Sequence, residues 1–114
     1  MITVYGIPNC DSVKKGLKLL ESNNVAFQFH NFKKDGLDAK TVKNWLKTVS
    51  LQELINKKGT TYRALPDEEK LKADDKKAAV ELALANTSII KRPVIDWGNG
   101  KITVGYCDGL LQNQ

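Results

Sequence analysis

Two short runs of β-forming residues, Ile2-Thr3-Val4-Tyr5 and Val25-Ala26-Phe27-Gln28-Phe29, flank a segment in which Val13, Leu17 and Leu20 recur at i, i+4 and i+7. That is strand, amphipathic helix and strand within thirty residues, a connection that makes the two strands run parallel. Gly6 and Pro8 end the first strand, and Ser22-Asn23-Asn24 closes the helix. Near the other end, Val94-Ile95-Asp96-Trp97 and Lys101-Ile102-Thr103-Val104 flank Gly98-Asn99-Gly100. This is a hairpin signal, because Asn-Gly tolerates the positive φ values that tight turns need. A parallel pair at one end of a chain and an antiparallel pair at the other predict an α/β fold with one mixed four-stranded sheet and helices over it.

The chain between these pairs reads as helical. Asp38 is placed to cap a helix whose buried stripe is Val42, Trp45, Leu46 and Val49, and Ser50-Leu51-Gln52-Glu53 has the form of a capping box opening another helix that stops at Gly59. Thr60 to Pro66 breaks the periodicity and is expected to be a short loop displaying Arg63. Asp67, Glu68 and Glu69 suit a first helical turn, and Asp74-Asp75 opens a further helix with Ala79, Val80, Leu82, Ala83 and Leu84 available to face inward, ending by Asn86-Thr87. The expectation is a single domain over residues 1–114 with a helical insertion at about 38–88 and, from Asp108 to Gln114, one last helical turn or a frayed end. Its 114 residues, 41% of them apolar, supply a core for one domain of this size. No apolar run approaches the ~18 residues of a membrane span, and the opening Met-Ile-Thr-Val-Tyr-Gly-Ile-Pro has no basic n-region, so a cytoplasmic protein without a membrane anchor is expected.

The net charge of +5 arises entirely in residues 1–58, which hold ten lysines against five acids. These lysines alternate with apolar positions at helical spacing, without interleaved aromatics, and read as solvated helix faces; nucleic-acid binding is therefore a minor option. Cys10 is more informative. It follows the first strand directly and stands where the helix begins, so its sulfur would meet unpaired backbone N–H groups and the positive end of the helix dipole, which favour a thiolate. Lys14 and Lys15 add positive charge one turn on, and Asp11 opposes it. The alternative for Cys10 is a small half-buried apolar side chain. Two cysteines far apart, Cys10 and Cys107, are too few for a disulfide scaffold, and Cys107, just after the last strand, is either an ordinary thiol or one that resolves a disulfide at Cys10.

Arg63 and Arg92 are the only arginines beside sixteen lysines, and a guanidinium fork binds planar carboxylates and oxyanions in a way that a lysine point charge does not. The alternative for each is a surface ion pair or a helix cap. Arg92 precedes Pro93, where the residues alone favour a trans bond, since only about 5% of such bonds are cis. His30 has no Cys, Asp or Glu at ligand spacing and reads as a strand-edge side chain, so no metal site is expected. No glycine pattern matches a phosphate-cradling loop, and no bound cofactor is expected.

The order Asn9-Cys10-Asp11-Ser12-Val13-Lys14-Lys15, Tyr62-Arg63, Ile90-Lys91-Arg92-Pro93 and Val104-Gly105 resembles the glutaredoxin-coupled arsenate reductase (ArsC) family, and within it the Spx/YffB-like branch, over nearly the whole chain. The resemblance implies a thioredoxin-like fold with an inserted helical subdomain and Cys10 as the nucleophile. It implies Asn9, Arg63, Arg92 and a cis Pro93 as residues holding an anion or glutathione, with Lys14 helping to stabilise the thiolate. It also implies a thiol oxidoreductase with glutathione as co-substrate and glutathione or glutaredoxin as partner. Three departures narrow this. Arsenate reductases of the family have a third arginine where this chain reads Gly105-Tyr106-Cys107, and a histidine where it has Gly6; Spx-type regulators have a second cysteine where it has Val13. Losing one bidentate arginine contact costs about 1.5 to 3 kcal/mol of anion binding, which disfavours arsenate as the substrate. The two other readings are a residual arsenate reductase and a non-catalytic adaptor that binds a protein such as RNA polymerase.

Overall fold

The computed structural model describes residues 2–72, 74–107 and 109–113. The chain divides into two compact units: residues 1–36 with 92–114, and residues 37–91.

In the first unit β1 (Ile2–Gly6) leads into α1 (Asp11–Ser22), which returns to β2 (Phe27–Asn31) and the single helical turn α2 (Phe32–Asp35). β1 and β2 are parallel, with Val4 opposite Phe29 and Gly6 opposite Asn31. The second strand lies two residues further along than the sequence suggests. Leu20 O accepts from Val25 N, and Asn24 takes φ +57, so Val25 and Ala26 are spent on the turn. From the inserted unit the chain re-enters as β3 (Val94–Asp96) and β4 (Ile102–Val104), and the sheet order is β2-β1-β3-β4, with β3 antiparallel to both neighbours. This is the mixed four-stranded sheet expected. The positive φ values of the hairpin fall on Gly98 and Gly100.

α1 covers the face of the sheet that carries Ile2, Val4 and Gly6. Val4, Leu20, Ile95, Trp97 and Leu110 form the buried cluster there, with Leu17, Phe27 and Phe29 packed against it. Each fully buried aliphatic side chain of this kind contributes about 1.5–3 kcal/mol. Leu110 belongs to a closing 3₁₀ turn (Leu110–Asn113) that supplies the expected last turn; Asp108 and Gln114 of that segment lie outside the described residues.

The second unit contains α3 (Ala39–Trp45), α4 (Leu51–Leu54), α5 (Thr60–Arg63), α6 (Asp67–Lys72), α7 (Lys76–Ala85) and a 3₁₀ turn at Thr87–Ile89. Val42, Trp45, Leu46 and Val49 are all buried, as the stripe requires, although regular helix ends at Trp45. The helix expected to run to Gly59 stops at Leu54. Ile55 is extended, bridges to Ile90 and ties the chain to the segment before β3 through Lys91 N to Leu54 O (2.8 Å) and Asn56 N to Ile89 O (2.7 Å). The expected loop at Thr60 to Pro66 is also corrected: its first four residues form the helical turn α5, closed by Arg63 N to Gly59 O at 3.1 Å. A single turn is too short to show apolar periodicity.

Caps fix the helix starts. Asp38 accepts from Thr41 N (2.8 Å), Ser50 Oγ from Glu53 N (3.2 Å) and Asp75 from Ala78 N (3.3 Å). Asp38→Ala is expected to lower stability by about 1 kcal/mol, and Asp38→Asn, which keeps an acceptor, by much less. Urea denaturation checks this; equal loss in the two variants would mean that the cap contributes nothing.

Candidate active site

Cys10 is delivered by a four-residue link, Ile7 to Cys10, from the end of β1 to the start of α1. Its own backbone is extended (φ −97°, ψ 127°), its carbonyl accepts from Lys14 N at 3.0 Å, and its side chain makes no capping hydrogen bond. The half-buried sulfur thus occupies the N-cap position of a twelve-residue helix, where the first-turn N–H groups have no intrahelical acceptor. Asn9 is exposed within the same link, and Lys14 is exposed one turn into α1.

The sheet gathers further residues at this end. Tyr5 pairs with Val94, so Arg92 and Pro93 enter β3 beside the point where β1 runs out towards Cys10. The Arg92–Pro93 peptide is cis, as the family resemblance implies and the residues alone did not favour. Pro93 is buried and Arg92 half-buried. Gly105 N donates to Pro93 O at 2.9 Å, with Gly105 at φ +85, so the segment Gly105-Tyr106-Cys107 leaves β4 at the same end. Cys107 is a free and exposed thiol, and its carbonyl accepts from Leu110 N at 3.2 Å.

Two small residues shape the ground under Cys10. Gly16 is buried in α1, and a Cβ there would stand 3.5 Å from Pro93 Cγ, which marks where the helix lies against the proline ring. Gly6 is tighter, since its Cβ would stand 2.7 Å from Val13 Cγ2. The sequence signal for Gly16 was available: a glycine inside a helix costs up to about 1 kcal/mol and points to close packing.

His30 is a strand residue. Its ring packs on Tyr5 at 5.1 Å, and its Nε2 lies 2.6 Å from Gly36 O, which is an acceptor only, so Nε2 carries the proton. Arg63 lies at the end of α5 in the second unit and is exposed. Among the described residues no group of three His, Cys, Asp or Glu is placed to hold a metal ion, and no helix is long and apolar enough to cross a membrane.

Comparison with known proteins gives this arrangement a family. The ArsC family pattern matches residues 5–112. The solved structure of a YFFB protein is 36% identical, superposes with a TM-score of 0.91, and covers 99% of this chain and 97% of its own. A solved arsenate reductase (ArsC) related protein of Brucella melitensis is 42% identical with a TM-score of 0.75, over 98% of this chain and 92% of its own. A Haemophilus influenzae protein without a characterised function is 41% identical over 106 residues, 93% of this chain and 91% of its own. The sheet with its flanking helices is the thioredoxin-like fold of these neighbours. The chain therefore belongs to the ArsC family and is an arsenate reductase-like protein similar to YFFB.

Proposed function

We propose that the protein is a glutathione-dependent thiol oxidoreductase in which Cys10 is the single nucleophile. The observation that carries this reading is the place of the Cys10 sulfur, uncapped at the amino end of α1 and at the sheet end where Arg92 and the cis Pro93 enter β3. The Cys10 thiolate attacks the glutathione sulfur of a mixed disulfide R–S–S–G. The S–S bond of the mixed disulfide breaks, RS⁻ leaves and takes a proton from water, and Cys10–S–S–G forms. The thiolate of a second glutathione then attacks the adduct, releasing oxidised glutathione and the Cys10 thiolate. No electrons are gained or lost beyond those of the two thiols and one disulfide exchanged. Val13, where a vicinal cysteine would have to be, leaves regeneration to an external thiol, either glutathione or glutaredoxin.

Arg92 supplies the fork for a glutathione carboxylate, and the family resemblance gives Arg63 the same role. The test follows release of the thiol from a glutathionylated peptide in the presence of glutathione, with intact-mass detection of one glutathione adduct on Cys10. No adduct and no release would overturn the proposal. Release of arsenite from arsenate at a comparable rate under the same conditions would favour the arsenate reductase reading instead.

In the same assay Arg92→Gln is expected to lower kcat/KM about tenfold or more, mostly through KM, and Arg92→Lys to recover only part of it, because the bidentate contact is lost. Arg63→Gln is expected to act in the same direction. An Arg92→Gln enzyme with unchanged KM would take Arg92 out of substrate binding.

A further inference from the structure

In the inserted unit, the outer side of α3 and of the turn that follows it carries a row of lysines that make no ion pair among the described residues. Lys40, Lys43 and Lys47 are exposed along about two turns, opposite the buried stripe of Val42, Trp45 and Leu46. Lys76 and Lys77 add two more at the start of α7, which packs against α3. Between the two helices lies a groove of about 490 Å³, rimmed by Lys43, Lys47, Lys76 and Lys77 with Asp75 among them, and floored by Leu46 and Val80. It continues into a second hollow of about 450 Å³ that shares Lys43 and Lys47 and ends at Lys40 and Asn44.

Among the described residues none of these five lysines makes an ion pair. Of the acids at the ends of these helices, Asp38 caps α3 and Asp74 pairs with Lys57 at 3.0 Å, while Asp75, the cap of α7, is the one carboxylate that lines the groove. Glu81, one turn beyond Lys77, does not line the groove. Five lysines against the single carboxylate of Asp75 leave a net positive groove that favours an anionic partner.

We infer that this groove docks an acidic peptide segment, its carboxylates on Lys40, Lys43, Lys47, Lys76 and Lys77 and an apolar side chain over Leu46 and Val80. The chemistry favours a peptide over a nucleic acid. The groove has no arginine to fork onto phosphate or guanine and no exposed aromatic ring for a base to stack on, and Trp45 of α3 is 1% exposed. Its apolar floor suits an aliphatic or aromatic anchor between acidic residues. The inference does not rest on the chemistry of Cys10.

The test uses the full chain and a fluorescein-labelled probe peptide, Glu-Glu-Leu-Glu-Glu-Phe-Glu-Glu, read by fluorescence anisotropy at 50 and 200 mM salt. Saturable binding is expected, weakened at least tenfold by Lys43→Glu with Lys47→Glu and less by the neutral pair Lys43→Gln with Lys47→Gln. It should change less than twofold in Lys33→Glu with Lys34→Glu, which alters the net charge equally on α2. Replacing the Leu and Phe of the probe by Ser should weaken binding several-fold, and Cys10→Ser should leave it unchanged. Circular dichroism confirms that each variant is folded. Absence of saturable binding, equal weakening by the two charge-reversal pairs, or indifference to the probe's apolar residues would overturn the inference. So would tighter binding of a single-stranded oligonucleotide of equal charge through the same lysines, which would make the surface one for nucleic acid.

Discussion

Cys10→Ser is expected to abolish turnover of a glutathionylated substrate, lowering kcat/KM by about a thousandfold or more while the fold survives. The size follows from the chemistry. A serine hydroxyl has no accessible anion at neutral pH and cannot take the place of the attacking sulfur. The substitution is otherwise mild, since the side chain is half-buried, makes no capping hydrogen bond to lose, and serine is itself a preferred N-cap residue. Urea or thermal unfolding should therefore show Cys10→Ser as stable as the parent or slightly more so. Cys107→Ser separates the mechanisms: with external glutathione as the resolving thiol it should retain most of the activity and the single adduct on Cys10. If Cys107→Ser were as inactive as Cys10→Ser, the resolving thiol would be Cys107 and the single-cysteine mechanism would fall. If Cys10→Ser kept more than about a tenth of the rate, the chemistry would belong to another group and the adaptor reading would gain.

Much of this arrangement is legible in the residues, for reasons that differ by element. β1, α1 and the hairpin declare themselves because each pairs a strong apolar period with a stop residue, so that Val4, Val13, Leu20, Val94 and Ile95 are buried where the periods put them. The βα turn that presents Cys10 follows from the same periods. Short elements do not declare themselves. α2 and α5 have four residues each, and α2 is fixed by Asn31 Oδ1 accepting from Lys33 N and Lys34 N. The stop of α4 at Leu54 depends on a bridge between Ile55 and Ile90, thirty-five residues apart, which no local pattern contains. The geometry of Pro93 was open to the family resemblance but not to the residues, since nothing in the sequence of an Arg-Pro pair selects the cis form.

Gly6→Ala is expected to destabilise the protein by about 1–3 kcal/mol, against the usual small gain when glycine in an ordinary strand becomes alanine. The added Cβ would lie 2.7 Å from Val13 Cγ2 and 3.4 Å from Cγ1, and Val13 is fully buried on the inner face of α1, so neither partner has room to move. Val13→Ala alone removes two methyl groups from the core and costs about 2 kcal/mol. In the double variant both close contacts are gone, the Cβ of residue 13 stands at the ordinary distance of 3.7 Å, and the new methyl fills part of the space vacated. The two losses should therefore fall short of additivity by at least about 1 kcal/mol in urea denaturation. Strict additivity would show that the backbone of β1 or α1 yields to the clash. The pair also joins two of the departures that set this chain apart within its resemblance. Val13 stands where regulators of the Spx type have a second cysteine, and Gly6 where arsenate reductases of the family have a histidine. A valine at the first position leaves no space for a side chain at the second. Gly6→His should then be tolerated only with Val13 reduced, so a single core contact beside Cys10 bars a histidine from position 6 of this protein.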